Sequence, residues 1–236
     1  MGILLFFGIG FVLFFPLPLF VRRFGKFMPA DAGTALVRSF HIPRFAKASD
    51  AARKALRRRL WFRLLRACFK WGFIGGILLC GLLYFGYSPF LFVFFMLSAL
   101  MAGVDERLHL LPDVLTVPML ILGFFTATMG LSGLSPLESA VGALFGYLMP
   151  MIASALMTPF RPQSLGGGDV KMLSATGAWI GAAGLAASIL ASFFFFTVIV
   201  LSPKTKEGPY GLSLFLGVIV VLVLQALPAF HGLFVF

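Results

Sequence analysis

The stretch 170–201, VKMLSATGAWIGAAGLAASILASFFFFTVIVL, decides how this chain is laid across a bilayer. Lys171 is its only charged residue. A single transmembrane helix needs about 20 residues, so this run is long for one span. Gly181-Ala182-Ala183-Gly184 offers a point where it can break into two short ones. The choice matters because it fixes the parity of every later crossing. With two spans here, every Lys and Arg falls on one side of the membrane. With one, Lys204 and Lys206 land on the opposite side from the rest. Cytoplasmic loops carry the excess of Lys and Arg, so the pattern favours two.

The composition around this stretch is that of a membrane protein. Hydrophobic residues make up 60% of the 236, charged residues only 11%, and the mean hydropathy is +1.03. A soluble domain carries about 25% charged residues. A surface this poor in polar groups excludes a water-soluble globule, and the apolar content excludes disorder. The expected fold is all-α: a polytopic helical bundle of about eight transmembrane helices.

The other expected spans are 2–21, 71–87, 90–104, 114–131, 137–158 and 211–227. The first is followed by its charges rather than preceded by them, which reads as a span with the N-terminus outside, not a cleaved signal peptide. Pro16 and Pro18 are expected to kink it. Three blocks follow: a first helix over 1–21, a basic segment over 22–70, and a membrane domain over 71–236.

Charge is concentrated in the middle block. Residues 22–70 hold fourteen Lys and Arg against Asp31 and Asp50, a net +12, while the remaining chain sums to −1. Such a block could bind nucleic acid, an acidic partner or anionic lipid. Beside apolar spans, lipid binding and a cytoplasmic position are the expected reading, and no nucleic-acid partner is expected. Within 51–70, Leu56, Leu60, Trp61, Leu64, Leu65 and Phe69 recur at helical spacing between arginines, the pattern of an amphipathic helix lying on a membrane surface.

The topology puts two polar loops, 105–113 and 159–169, on the same cytoplasmic boundary. Each presents an acid at the end of a span: Asp105 closes the third and Asp169 opens the sixth. Two carboxyls held together at a partly dry interface cannot both ionise easily. One then keeps a proton while the other can take one from water, the chemistry of aspartyl peptidases. Simpler roles stand beside this one. Asp169 fits the N-cap of the next helix, and Asp113, after Pro112, fits a cap as well. Gly166-Gly167-Gly168 reads as a flexible loop, or Gly166 and Gly168 as backbone that a bound extended peptide can approach closely. Asp105-Glu106-Arg107 fits a solvated helix end. Ser174, Gly177, Ala178 and Gly181 share one helical face, suited to tight helix packing that would steady Asp169.

Other chemistry finds little support. His41, His109 and His231 show no ligand spacing, and Cys68 and Cys80 are too few for a disulfide framework or a four-cysteine zinc site. No Ser-x-x-Lys or Gly-x-Ser-x-Gly nucleophile pattern occurs. No metal or cofactor is expected. The competing function classes are an ion-coupled transporter, which expects acids at span centres, and an inactive scaffold subunit of a pilus or secretion machine.

Gly166-x-Gly168-Asp169, followed by Val170-Lys171-Met172-Leu173, resembles the GxGD motif of the type IV prepilin peptidase family. The stretch from Asp105 through Leu111-Pro112-Asp113-Val114-Leu115-Thr116-Val117-Pro118 is similar to that family's first aspartate region. Glu207-Gly208-Pro209-Tyr210-Gly211 is similar to its late Pro-aromatic-Gly turn. The resemblance covers roughly 71–228. It implies a membrane aspartyl endopeptidase of the bacterial inner membrane that removes the basic leader of prepilins or pseudopilins on the cytoplasmic side, after a Gly and just before a hydrophobic helix. It implies Asp105 and Asp169 as the catalytic pair, and Gly166, Gly167, Gly168, Lys171, Pro112 and Asp113 as substrate-binding or loop residues. Larger members carry a cytoplasmic domain with two Cys-x-x-Cys pairs, linked to N-methylation. Residues 22–70 hold one cysteine, so zinc is not expected there, and methyl transfer stays open. The family's leaders are basic, as is 22–70. Like charges disfavour their contact, so the leader is expected to meet Asp105, Glu106, Asp113 and Asp169 while 22–70 grips lipid.

Overall fold

The structure is a computed structural model that describes residues 2–27, 32–40, 51–157, 166–201 and 210–227. Among them every regular element is helical. The chain divides into two compact units, residues 1–86 and 87–236.

The first unit contains α1 (Gly2–Phe14), α2 (Leu17–Phe27), α3 (Ala32–Phe40) and α4 (Ala51–Tyr84). A turn at Phe15 and Pro16 separates α1 from α2, the kink expected of the proline pair. A ring nitrogen carries no hydrogen for the helical ladder, so the chain bends there. Together these two helices form a 26-residue apolar stretch, Gly2–Phe27. The helix expected over 51–70 is present and continues without interruption into the apolar residues up to Tyr84. Backbone hydrogen bonding does not register the change from arginine-rich to apolar side chains. Helix α1 packs on α4 through glycines. A Cβ on Gly76 would lie 2.7 Å from the Phe7 ring, and one on Gly72 would lie 2.9 Å from the Phe11 ring. Small residues of this kind let phenylalanines seat against a helix backbone where lipid supplies no hydrophobic drive for association.

The second unit contains α5 (Leu91–Leu108), α6 (Asp113–Thr128), α7 (Pro136–Met157), α8 (Gly167–Val200) and α9 (Tyr210–Ala226). Helix α8 is the hub, packed against α6, α7 and α9. It is not straight. Gly181 has φ 70° and ψ 175°, a conformation that belongs essentially to glycine. Beyond it Leu185 returns beside Gly177: its Cδ2 lies 3.1 Å from where a Gly177 Cβ would stand. Eight residues of straight helix rise about 12 Å, so the two arms must double back on each other. The break expected between Gly181 and Gly184 thus falls at Gly181 and makes a helical hairpin.

The break frees carbonyls that a continuous helix would use, and α7 satisfies one of them. The buried Ser139 hydroxyl donates to the Ala178 carbonyl at 2.7 Å. Ser174 donates to the Ala143 carbonyl at 2.9 Å. Gly142 of α7 and Gly177 of α8 meet backbone to backbone, with no room for a side chain on either. Ser174, Gly177 and Gly181 of the small-residue face therefore line the α7–α8 seam, while the Ala178 methyl packs on Gly123 of α6. On the other side of α8, the Trp179 indole donates to the Met119 carbonyl at 2.8 Å. Helix α9 lies between α8 and α5, with Gly217 against the backbone of Ser188 and Ser192 and the Phe215 ring 5.8 Å from that of Phe95.

Four stretches are long and apolar enough to cross a membrane: Gly2–Phe27, Leu60–Tyr84, Pro136–Met157 and Gly167–Val200. Asp113–Thr128 and Tyr210–Ala226 are apolar but shorter. Counting α5 and both arms of α8, the described residues hold eight apolar helical segments, the number expected. The molecule is an all-α membrane helical bundle.

Candidate active site

Asp105 lies in the last turn of α5 and is only 7% exposed. Its Oδ2 accepts the backbone N–H of Gly211 at 3.0 Å. Gly211 is the second residue of α9, so this amide is one of the donors that a helix start leaves without an intrahelical partner. The carboxylate of one helix thus caps another, and the positive end of α9 points at it. Helix α5 ends just beyond. His109 adopts left-handed dihedrals (φ 49°, ψ 36°) and its N–H bonds to the Asp105 carbonyl at 2.9 Å. That is a structural role, consistent with a lone histidine at a helix end.

Asp169 sits in the first turn of α8, half-buried. It is not the N-cap. Gly166 occupies that position with extended dihedrals (φ −72°, ψ 137°), and the Asp169 carboxylate accepts a backbone hydrogen bond from it. An acid at the third helical position reaching back to the cap residue is half of a capping box. The Asp169 carboxyl also interacts electrostatically with Asp105 and with the Tyr210 hydroxyl. The two acids of the two polar loops are therefore brought together.

Two contacts lock the loops. A Cβ on Gly168 would stand 2.8 Å from the Leu111 Cβ and 3.3 Å from its carbonyl oxygen, so the start of α8 presses against the α5–α6 connection. The space at Gly168 is filled by Leu111 rather than left for a peptide. Gly167 differs, with nothing within 4 Å of its would-be Cβ. Lys171 and Asp113 form an ion pair at 2.6 Å. Asp113 is the first residue of α6, after buried Pro112 at the cap position, and it makes no side-chain cap bond. The capping role expected for Asp113 is replaced by this pairing, because Pro112 already fixes the extended entry to the helix.

Gly211 and Tyr210 are the site residues that sequence reading did not place. Their signal was the aromatic-Gly pair opening the last span. Glu207, Gly208 and Pro209, like most of 159–169 and the histidines His41 and His231, lie outside the described residues. Glu138 takes no part: it forms a capping box with Ser135, accepting the Ser135 N–H at 2.7 Å while its own N–H reaches Ser135 Oγ at 3.2 Å. An apolar cavity of about 260 Å³, lined by Leu134, Leu137, Val141 and Ala182 among others, lies at the hairpin turn and includes neither aspartate.

This fold and site define an integral membrane protein that gathers two acids from separate helix ends. Residues 90–201 match the type IV leader peptidase family. The matched segment is narrower than the 71–228 over which the motifs suggest a resemblance. The prepilin leader peptidase/N-methyltransferase of Escherichia coli strain K12 is 38% identical over 93 residues, covering 39% of this chain and 40% of that protein. The protein of the same description from Dickeya chrysanthemi is 42% identical over 83 residues, 34% of this chain and 29% of its own length. A type 4 prepilin-like proteins leader peptide-processing enzyme of Escherichia coli O78:H11 is 32% identical over 130 residues, 52% of this chain and 47% of that protein. The aligned stretches thus span less than half the length of these relatives. No solved structure matches the chain.

Proposed function

We propose that this protein is a membrane aspartyl endopeptidase that cleaves the basic leader from prepilin-type or pseudopilin proteins at the cytoplasmic face of the bacterial inner membrane. The observation that carries the reading is the meeting of Asp105 and Asp169, each at a helix end, within electrostatic reach of one another. One carboxylate takes a proton from water as the water oxygen attacks the scissile carbonyl. The other, protonated, hydrogen-bonds the carbonyl oxygen and stabilises the tetrahedral intermediate. The departing amine then takes up a proton as the C–N bond breaks.

The positions of the other acids support a peptidase over an ion-coupled transporter. Among the described residues Asp113, Glu138 and Asp169 sit in first helical turns and Asp105 and Glu106 in a last turn, none at a span centre. Glu106 is exposed beside Asp105, while Asp113 already has Lys171 for a partner. Glu106 is therefore the acid best placed to meet a basic leader. The basic block 22–70 binds anionic lipid.

The test is cleavage of a co-expressed prepilin in membranes, followed by its mobility shift. Wild-type protein processes the substrate, and Asp105→Asn and Asp169→Asn proteins, inserted at equal levels, do not. Processing at a normal rate by the Asp169→Asn protein sinks the reading.

A further inference from the structure

Helix α6 has two faces. Leu115, Met119, Gly123 and Thr126 recur at helical spacing and are buried, with Gly123 against Ala178 and Trp179 of α8. Pro118, Ile121 and Phe125 recur on the other face and are exposed, with Val117 beside them. The inner end of this outward face is set by Asp113, whose partner Lys171 stands two residues beyond Asp169. Between acid and stripe lies a break in the hydrogen-bond ladder. The Val114 carbonyl points along the helix toward residue 118, and Pro118 has no N–H to give it. A backbone acceptor without its helical donor at the edge of a bilayer needs a partner from elsewhere. From the aspartates outward, the face therefore offers a carboxylate, a main-chain acceptor lacking its helical donor, and an apolar stripe.

No other described helix of the second unit combines these groups. Helix α5 exposes Glu106, but Ala102 and Gly103, one turn back, are buried. Helix α8 is buried from Met172 through Gly181, and its returning arm carries no acid. Helix α7 holds its acid, Glu138, at the end near Gly181, inside its own capping box. The first turn of α9 has no acid. The order of groups on α6 selects an occupant: positive charge, then unpaired N–H groups, then an apolar helix. A basic stretch running into an apolar helix has that order, because the first four N–H groups of a helix lack intrahelical acceptors. We infer that the outward face of α6 docks such a helix, the part of the substrate that follows the basic leader. The inference rests on the proposed leader-peptidase reading and extends it across the scissile bond. The leader lies toward the acids at the helix ends, and the first amides of the docked helix meet the Val114 carbonyl. Val117, Ile121 and Phe125 are the anchors, four residues apart, the spacing with which one helix reads another.

The experiment uses the purified full-length protein in detergent, with a prepilin substrate carrying a basic leader and an apolar helix. The triple variant Val117→Ala/Ile121→Ala/Phe125→Ala should raise KM about fivefold with kcat within about twofold, since contacts made equally in the ground and transition states act on binding. A matched triple on the exposed side of α7, Leu144→Ala/Leu148→Ala/Ile152→Ala, should leave KM unchanged. Pro118→Ala returns an amide to the Val114 carbonyl and removes the acceptor. It should raise KM about threefold without lowering the unfolding temperature, because alanine suits a helix interior better than proline. An unchanged KM in the α6 triple variant, or an equal rise in the α7 triple variant, overturns the inference. Photo-crosslinking separates it from the aspartyl reading. In Asp169→Asn protein, Ile121→benzoylphenylalanine should capture the uncleaved substrate and Leu144→benzoylphenylalanine should not. If Asp169→Asn abolishes cleavage and position 121 captures no substrate, only the docking face falls. If Asp169→Asn cleaves normally, the aspartyl reading falls, while capture from position 121 still upholds the docking face.

Discussion

The backbone N–H of Gly211 donates to Oδ2 of Asp105 at 3.0 Å, joining residues 106 positions apart. The contact tolerates little change. A Cβ on Gly211 would stand 3.2 Å from that oxygen and 3.4 Å from the Ala102 Cα. Either the helix entry or the carboxylate must then shift by a few tenths of an ångström. Misplacing a reacting group costs rate well before it costs stability. Gly211→Ala should therefore lower turnover by roughly tenfold while thermal stability stays close to wild type. Gly211→Val should abolish it. Cleavage assays on protein matched for membrane level will decide; an Ala variant with normal turnover would show that the contact does not govern Asp105.

Asp105→Asn and Asp169→Asn should each reduce leader cleavage by about a hundredfold or more, the usual scale for losing a general acid or base. The double variant should be scarcely worse than either single one, because the pair acts as a unit. Multiplying losses in the double variant would argue against a shared mechanism.

Gly181→Ala should destabilise the bundle. At φ 70° and ψ 175° an L side chain is strained by about 1–3 kcal/mol, and the hairpin cannot relax without moving Ser139 from the Ala178 carbonyl. A drop in unfolding temperature in detergent is expected. Gly167→Ala, where a Cβ meets nothing within 4 Å, should leave that temperature unchanged. Equal behaviour of the two variants would mean that the turn at Gly181 is not under conformational demand.

What the sequence disclosed and what it hid divide along a physical line. The alternation of long apolar runs with two acid-bearing loops revealed the bundle and the aspartates, because a bilayer penalises charge inside a span wherever its partner lies. Gly181-Ala182-Ala183-Gly184 revealed the break for an equally local reason. The partners of these groups were not legible. Nothing in the spacing of Gly211 says that its amide meets Asp105, and nothing in Gly168 says that its missing side chain makes room for Leu111. Asp113 looked like a cap because it follows Pro112, yet its partner Lys171 comes from another helix, α8. The shift from arginines to apolar residues near 70 does not interrupt α4, because the helix is built from backbone bonds that charge does not interrupt.

The Lys171–Asp113 pair separates electrostatics of the fold from those of substrate binding. The two side chains are 47% and 63% exposed, so the bridge contributes no more than about 1 kcal/mol to stability, and salt weakens it. Lys171→Ala should therefore leave the unfolding temperature nearly unchanged. It should, however, leave the Asp113 carboxylate unpaired and strengthen the local negative field met by a basic leader. The expected result is a KM for leader cleavage lowered by about twofold, most visible at low ionic strength. Glu106→Gln should move KM the other way, raising it severalfold with kcat little affected. Both shifts should shrink as salt is added, since screening over about 10 Å removes them. KM values for the two variants that move in the same direction, or are indifferent to salt, would exclude this acidic edge as the place where the leader binds.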